Sequence, residues 1–311
     1  LTISSNSNQE LSGVISGSGQ IIKSGSGTLT LSGTNTFSTG LALTTQTDGT
    51  WGNIPNSDRA KNYSTSFASG IDTLPVIYNI LNDVGGGNRD DFTTRLVSTS
   101  NSSFTYRVYR TDAGASISST WGAIDGVTYF NVFPVAITVN GGTLALTNNN
   151  AIAVDNAIRV GSNATLDVKG VTISNPIRLD QNSILTNSSS TASEISGAVI
   201  ITDDSTINGT GNIELSGLVN LPIGISALGD VSLTKSGSNT LNLSGDNFEE
   251  TNTDYSSYIG ETILNAGTFS LGNVHSIGTL KSVKPKFTFS GGTLQFSSNN
   301  TTDISSIFSN S

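Results

Sequence analysis

Apolar and polar residues alternate in many short stretches along the 311-residue chain. Clear cases are four residues long and begin with threonine: TLTL at 28–31, TLAL at 143–146, TLDV at 165–168, TLNL at 240–243 and TLQF at 293–296. An apolar residue at every second position predicts a short strand with one buried face. Glycine or asparagine precedes most of them and predicts a tight bend with a positive φ angle, at Gly27, Gly142, Asn163, Asn239 and Gly292.

A helical pattern is predicted at one place only. The segment TLPVIYNILNDV at 73–84 has Pro75 near its beginning and three glycines, 85–87, after its end. Proline in the first turn and glycine past the last turn are typical helix boundaries. Elsewhere the apolar spacing of three and four that a helix needs is absent. The chain is therefore predicted to be almost entirely β-structure.

One motif occurs twice, as KSGSGTLTLSG at 23–33 and as KSGSNTLNLSG at 235–245. Internal repetition favours a β-solenoid, in which each coil buries its inward row of apolar residues against the next coil. A hairpin sandwich would contain more two-residue Asn-Gly or Asp-Gly turns. With roughly 20 to 25 residues per coil we expect about ten coils, with the two copies on corresponding strands of different coils.

The residues around the second copy resemble a known family. KSGSNTLNLSGDN at 235–247 and YIGETILNAGTFSLG at 258–272 closely resemble the autotransporter-associated beta-strand repeat of passenger domains. A partial copy is KSGSGTLTLSGTNTFSTG at 23–40, and SGGTLQFSSNN at 290–300 resembles its next coil. The resemblance implies a right-handed parallel β-helix that is displayed on, or released from, a Gram-negative cell surface, usually within a longer polypeptide.

Residues 45–133 depart from the repeat. Both tryptophans and most of the tyrosines lie in this stretch, together with six arginine or lysine residues. We predict a small aromatic-rich domain inserted between the first coils, 1–44, and the remaining coils, 134–311. Its aromatic residues either form its own core or provide a recognition surface for proteins or surface glycans. For the second alternative, the candidate binding residues are Trp51, Tyr106, Tyr109 and Trp121.

Composition narrows the possible locations and partners. The formal net charge is -9, so no basic surface is available for nucleic acid. No apolar stretch of about 18 residues is present, and no membrane-spanning segment is expected. The absence of cysteine fits the cytosol or export, and the low share of charged residues, 12%, favours an extracellular or cell-surface location. The chain lacks an initiator methionine and a signal peptide, which predicts a processed chain or an excised segment.

Candidate catalytic and metal-binding residues are few. The adjacent acidic pairs are Asp90–Asp91, Asp203–Asp204 and Glu249–Glu250, and we expect them to lie in turns. His275 is the single histidine, with no cysteine and no Gly-x-Ser-x-Gly motif beside it. The usual multi-histidine zinc sites and the Asp-rich calcium loops are also missing. We therefore expect no metal and no cofactor.

The leading hypothesis is a non-enzymatic extracellular protein in which a rigid β-solenoid displays the inserted domain to other proteins or glycans. An alternative is a subunit that associates end to end into a filament or a surface layer, because exposed strands of end coils can pair between copies. A third is a polysaccharide-active β-helix enzyme, which would need Asp203, Asp204 and a further acid from a stacked coil in one groove.

Overall fold

The computed structural model describes the backbone of residues 1–39, 44–51, 60–66, 73–80, 92–99, 103–110, 124–220, 231–245, 261–272, 286–298 and 300. Side chains are described for the same residues outside 40–132 and 220. These parts of the chain form 27 strands and no helix, which confirms the prediction of an all-β protein.

The strands are short, as the four-residue alternation predicts, apart from those between residues 44 and 139. Before that stretch lie β1 (Thr2–Ser4), β2 (Gln9–Leu11), β3 (Ile21–Ser24) and β4 (Thr28–Leu31). Within it lie β5 (Thr44–Trp51), β6 (Ala60–Ser66), β7 (Thr73–Ile80), β8 (Phe92–Thr99), β9 (Ser103–Arg110) and β10 (Ile124–Val139).

The strands that follow return to two to five residues each. They are β11 (Thr143–Leu146), β12 (Ala157–Val160), β13 (Thr165–Asp167), β14 (Thr172–Ile173), β15 (Ile177–Leu179), β16 (Ser183–Asn187), β17 (Ser193–Ile195), β18 (Val199–Ile201), β19 (Ser205–Gly209), β20 (Ile213–Leu215), β21 (Val219–Asn220), β22 (Ser232–Lys235), β23 (Thr240–Leu243), β24 (Glu261–Leu264), β25 (Thr268–Leu271), β26 (Lys286–Phe289) and β27 (Thr293–Phe296).

Three sheets of parallel strands form a parallel β-helix, as predicted. The first sheet has the order β1-β3-β10-β12-β15-β18-β21, the second β2-β4-β11-β13-β16-β19-β22-β24-β26, and the third β14-β17-β20-β23-β25-β27. Strands adjacent in each sheet come from successive coils, and the second sheet has a strand from all nine coils in the described part of the chain. We number the coils 1 to 9 by their strand in this sheet; about ten were expected.

The core consists of apolar columns, meaning residues at the same register position in successive coils. One column of the second sheet is fully buried over seven coils and contains six aliphatic residues and one lysine: Leu29, Leu144, Leu166, Leu185, Ile207, Lys235 and Leu264. Burying stacked aliphatic side chains is the dominant favourable contribution to folding. Each coil therefore depends on its neighbours for a core, as expected for a solenoid.

The helix predicted at 73–84 is wrong over its described part. Residues 73–80 form β7, which pairs antiparallel with β10 from Thr73 opposite Pro134 to Ile80 opposite Val127. Leu, Val, Tyr and Ile alternate through 74–80, and β-branched residues at 76, 77 and 80 favour a strand. Proline lacks an N–H group and is tolerated in edge strands, so Pro75 did not require a helix. Residues 81–84 lie outside the described residues.

The two copies of the repeated motif do not occupy corresponding strands, so the expectation that they would is wrong. The first copy spans β3 and β4, in the first and second sheets, whereas the later copy spans β22 and β23, in the second and third sheets. Strands that are adjacent in the second sheet are 19 positions apart at Thr165 and Ile184 but 29 apart at Ser232 and Glu261. Because the copies lie at different corners, their spacing is not a whole number of coils, and the variable coil length hides this in the sequence. The motif encodes a corner between two sheets and not one particular side.

The predicted bend residues are partly confirmed. Gly142, Asn163 and Gly292 have φ angles of 64°, 60° and 80°. Gly27 and Asn239 are not among the positive-φ residues; in both copies of the motif that conformation falls two residues earlier, at Gly25 (78°) and Gly237 (74°). Each of these glycines is the second residue after a buried lysine, Lys23 or Lys235, whose contacts are described below.

Candidate display site at the insertion

Among the described residues, one strand, β10, belongs to both the atypical stretch and the solenoid. Its residues from Ile124 to Pro134 pair antiparallel with β5 and β7, while Val135 and the residues from Ile137 to Val139 pair parallel with β12 or β3. The register shifts between Val135 and Ile137, at the change from one set of partners to the other. The sheet of the insertion and the first sheet of the solenoid therefore share one continuous strand.

The predicted binding residues fall on separate strands. Trp51 is the last residue of β5 and pairs with Ile124. Tyr106 and Tyr109 lie in β9, the centre of a separate antiparallel sheet of order β6-β9-β8. Trp121 lies outside the described residues. No described strand pairing joins Trp51 to the two tyrosines, so a shared aromatic surface stays a prediction, as do the domain boundaries at 45 and 133.

Coils 2 and 3, which flank the insertion, are held together by side chains distributed around the coil. The Nε2 group of Gln20 donates to the Val135 carbonyl at 2.7 Å, and Asn148 Nδ2 donates to the Ser32 carbonyl at 3.2 Å. We call Gln20, Lys23, Asn35 and Asn148 the junction clamps. Lys23 is the first residue of the repeated motif, but none of these contacts was predicted from the sequence, because only the folded coil brings together positions about 115 residues apart.

Asn35 is the most buried amide of the junction clamps. Its Nδ2 group donates to the Ala151 carbonyl at 2.8 Å, and its Oδ1 accepts from the Ile15 backbone N–H at 2.8 Å. Its side chain thus links coils 1, 2 and 3, and the residue is only 4% exposed. A buried amide with satisfied partners fixes relative positions, because any displacement would leave a polar group without a partner.

Lys23 is a buried lysine whose ammonium group is surrounded by carbonyl oxygens. It occupies an inward column between Ile3 and Val139. Its Nζ donates to the carbonyls of Ser24 at 3.0 Å, Gly25 at 2.9 Å and Gly141 at 3.0 Å. Burial lowers the pKa of the Lys23 ammonium group from its ordinary value. The three donors of the lysine are matched by three acceptors, one of which belongs to coil 3.

Lys235 repeats this arrangement at the corner between the second and third sheets. Its Nζ donates to the carbonyls of Ser236 at 2.7 Å, Gly237 at 3.1 Å and Ala266 at 3.2 Å. The last of these belongs to the following coil, in the same way as Gly141 at the first corner. Burial lowers the pKa of Lys235 to about 8. The positive φ at Gly25 and Gly237 turns the carbonyls of each bend toward the ammonium group, which explains why glycine follows the Lys-Ser pair.

The acidic pair Asp203–Asp204 lies at a corner, as expected for a turn. Asp203 Oδ1 accepts from the Asp204 backbone N–H at 2.8 Å. Asp204 Oδ1 accepts from the backbone N–H and the hydroxyl of Ser232 in the next coil, at 2.7 and 2.8 Å. The other acidic pairs and His275 lie outside the described residues. Within the described residues, no group of three or more His, Cys, Asp or Glu side chains is placed to hold a metal ion.

One charged cluster lies on the first sheet. Asp180 accepts from Arg159 Nε at 2.8 Å and from Arg178 Nε at 2.7 Å. Burial raises the pKa of the Asp180 carboxyl, but the nearby charges and hydrogen bonds of Arg178 and Arg159 outweigh it and hold the pKa below its usual value. Since Arg159 and Arg178 lie in register on β12 and β15, Asp180 neutralises two like charges stacked in neighbouring coils.

Comparisons with known proteins identify no relative of the chain. No protein-family model, no curated protein and no solved structure matches it. In the part of the chain that the structure describes, no helix is long and apolar enough to cross a membrane.

Proposed function

We propose that the chain is a non-enzymatic extracellular protein in which the parallel β-helix is a rigid support that presents residues 45–133 to other proteins or surface glycans. The observation that carries the proposal is strand β10, which continues from an antiparallel sheet of the insertion into the first sheet of the solenoid. A continuous strand transmits orientation, whereas a flexible linker would not.

The solenoid has the properties of a support. Its coils are joined by parallel pairing in three sheets, and its polar outer positions carry few charges. Solenoids of this kind gain stability by adding neighbouring coils, so their length and direction are set by repetition. Recognition is then left to the segment that departs from the repeat, where both tryptophans lie.

Binding of the purified full chain to a glycan array and to immobilised host-surface proteins tests this function. Trp51→Ala, Tyr106→Ala, Tyr109→Ala and Trp121→Ala are measured separately, and Val154→Ala, at an exposed position of the solenoid, is the control. We expect at least one insertion variant to lose binding while its far-ultraviolet circular dichroism stays that of the wild type. Undiminished binding by all four folded variants, or no binding by the full chain, would reject the proposal.

End-to-end association is a second candidate function, favoured by the exposure of two inward-column residues. Phe289 continues the column of Leu264 and is 58% exposed, and Phe296 continues the column of Leu271 and is 45% exposed. A strand edge bordered by exposed apolar groups can pair with another β-coil. Light scattering over a concentration series, combined with electron microscopy, separates regular fibres from single rods; Phe289→Ser with Phe296→Ser should abolish the fibres.

A further inference from the structure

The register of the solenoid across the insertion is that of an uninterrupted coil. Thr28 pairs with Thr143, 115 positions later, and Thr143 pairs with Thr165, 22 positions later. Leaving out the 89 residues predicted as the insertion, 45–133, would put Thr28 and Thr143 26 positions apart, and leaving out the 93 residues 40–132 would put them 22 apart. Both spacings lie within the 19 to 29 positions found between other neighbouring strands of the second sheet. We use 40–132 below, because Thr39 and Phe133 are the described side chains next to the interruption. The residues outside the insertion are therefore enough for a coil of ordinary length.

The contacts between coils 2 and 3 are complete without the insertion. Strand β3 pairs with the last three residues of β10, and all four residues of β4 pair with β11. The junction clamps add bonds at separate places along the coil: Gln20 before the first strand, Lys23 at the first corner, Asn148 after the second strand and Asn35 beyond it. Hydrogen bonds therefore join coils 2 and 3 at every described side of the coil.

The residues that border the insertion are also fixed in the solenoid. Phe37 is 3% exposed and belongs to the main core, and the Ser38 backbone N–H donates to the Gly17 carbonyl at 3.1 Å. On the other side, Val135 is 1% exposed and pairs with Ala157. Both ends of the interruption are therefore positioned by coils 1, 2 and 4.

We infer that the solenoid closes across the insertion point by itself, so that residues 40–132 are a replaceable cassette and the junction of coils 2 and 3 is an acceptor position for a foreign folded segment. The closure depends on coil length and on the junction clamps. This goes beyond the proposed function, because it concerns the support and holds whether or not the cassette binds a partner.

The test uses three variants of the chain that lack residues 40–132. Thr39 is joined to Phe133 directly in one, and through a linker of two or four Gly/Ser residues in the others. We expect at least one of the three to unfold cooperatively with a Tm within about 4 °C of the solenoid transition of the full chain, a shift that corresponds to about 1 kcal/mol. Amide hydrogen exchange should show protection of β4 and β11 equal to that in the full chain.

Two controls make the result specific. Removal of residues 40–139 takes seven residues more, among them the part of β10 that pairs with β3 and β12. It also leaves 15 positions between Thr28 and Thr143, fewer than the shortest spacing of 19 between other described strands of the second sheet, so it should prevent closure. Addition of Asn35→Ala to the deletion of 40–132 should lower the Tm. Aggregation or loss of β4 and β11 protection in all three 40–132 deletions would overturn the inference, and loss of partner binding alone would bear only on the proposed function.

Discussion

The ammonium groups of Lys23 and Lys235 occupy equivalent cages of three carbonyl oxygens at two different corners of the solenoid. In each cage two acceptors come from the two residues after the lysine, and the third comes from the next coil, at Gly141 or Ala266. The motif thus carries its own corner geometry and needs no particular pair of sheets.

Removal of the cage donor is expected to destabilise the solenoid. In Lys235→Met the aliphatic part of the side chain is retained, but the partly buried carbonyls of Ser236, Gly237 and Ala266 lose their donor. We expect the free energy of unfolding to fall by roughly 1–3 kcal/mol, the usual cost of buried unsatisfied groups. Chemical denaturation monitored by circular dichroism measures it.

Lys169→Met is the matched control, because Lys169 is exposed at a bend of the same solenoid. It should change the stability by no more than about 0.5 kcal/mol, as is usual for surface positions. An equal loss in both variants would mean that the cage of Lys235 contributes nothing.

The stability should also depend on pH through Lys235. Its pKa is about 8 in the folded chain and about 10.4 in an unfolded one, so between these values the unfolded chain binds more protons. The contribution of Lys235 to the free energy of unfolding therefore rises from pH 8 to pH 10. Below pH 8 this contribution changes little. The difference in unfolding free energy between wild type and Lys235→Met should increase over that interval, and a flat difference would contradict the lowered pKa.

The glycines opposite the first cage differ sharply in what they tolerate. At Gly142, φ is 64°, and an added Cβ would lie 2.5 Å from the carbonyl oxygens of Gly25 and Gly27. At Gly141 the closest atom would be the Gly25 oxygen at 3.5 Å, an ordinary contact. We expect Gly142→Ala to lower the stability by roughly 1–3 kcal/mol from strain, and Gly141→Ala to be nearly neutral.

The second corner supports this expectation, since alanine already occupies the position of Gly141 there, at Ala266, and glycine follows it at Gly267 with φ 71°. Thermal unfolding of the two alanine variants side by side measures the contrast. A loss at Gly141→Ala as large as that at Gly142→Ala would show that the cage, and not the backbone conformation, selects glycine.

The parallel β-helix could be predicted from the sequence because its determinants are local. The Thr-Leu-x-Leu alternation at 28–31 and 240–243 sets strand and buried face together, and the structure has both strands at those residues. The position of each copy around the coil could not be predicted, because coil lengths from 19 to 29 residues shift the register without changing the motif. The junction clamps could not be predicted, because they join positions about 115 residues apart. The helix predicted at 73–84 is wrong over β7 because proline is compatible with both the start of a helix and an edge strand.

The Asp180 cluster should make the solenoid sensitive to acid. Because Arg178 and Arg159 hold the pKa of Asp180 below its ordinary value, the folded chain stays ionised there at a pH at which the unfolded chain is already protonated. The stabilisation is therefore present above about pH 4 and is lost as the pH falls through the folded pKa. Asp180→Asn should lose roughly 1–3 kcal/mol at pH 7, because hydrogen bonds to a charged group are replaced by weaker ones.

Asp203→Asn serves as the control, since Asp203 Oδ1 accepts only a local bond from the Asp204 backbone N–H among those described. Urea unfolding of the three proteins between pH 3 and pH 7 should give converging stabilities for wild type and Asp180→Asn at the acid end. If the difference between them stayed constant down to pH 3, the cluster would act through packing and shape, and the charge of Asp180 would not be the cause.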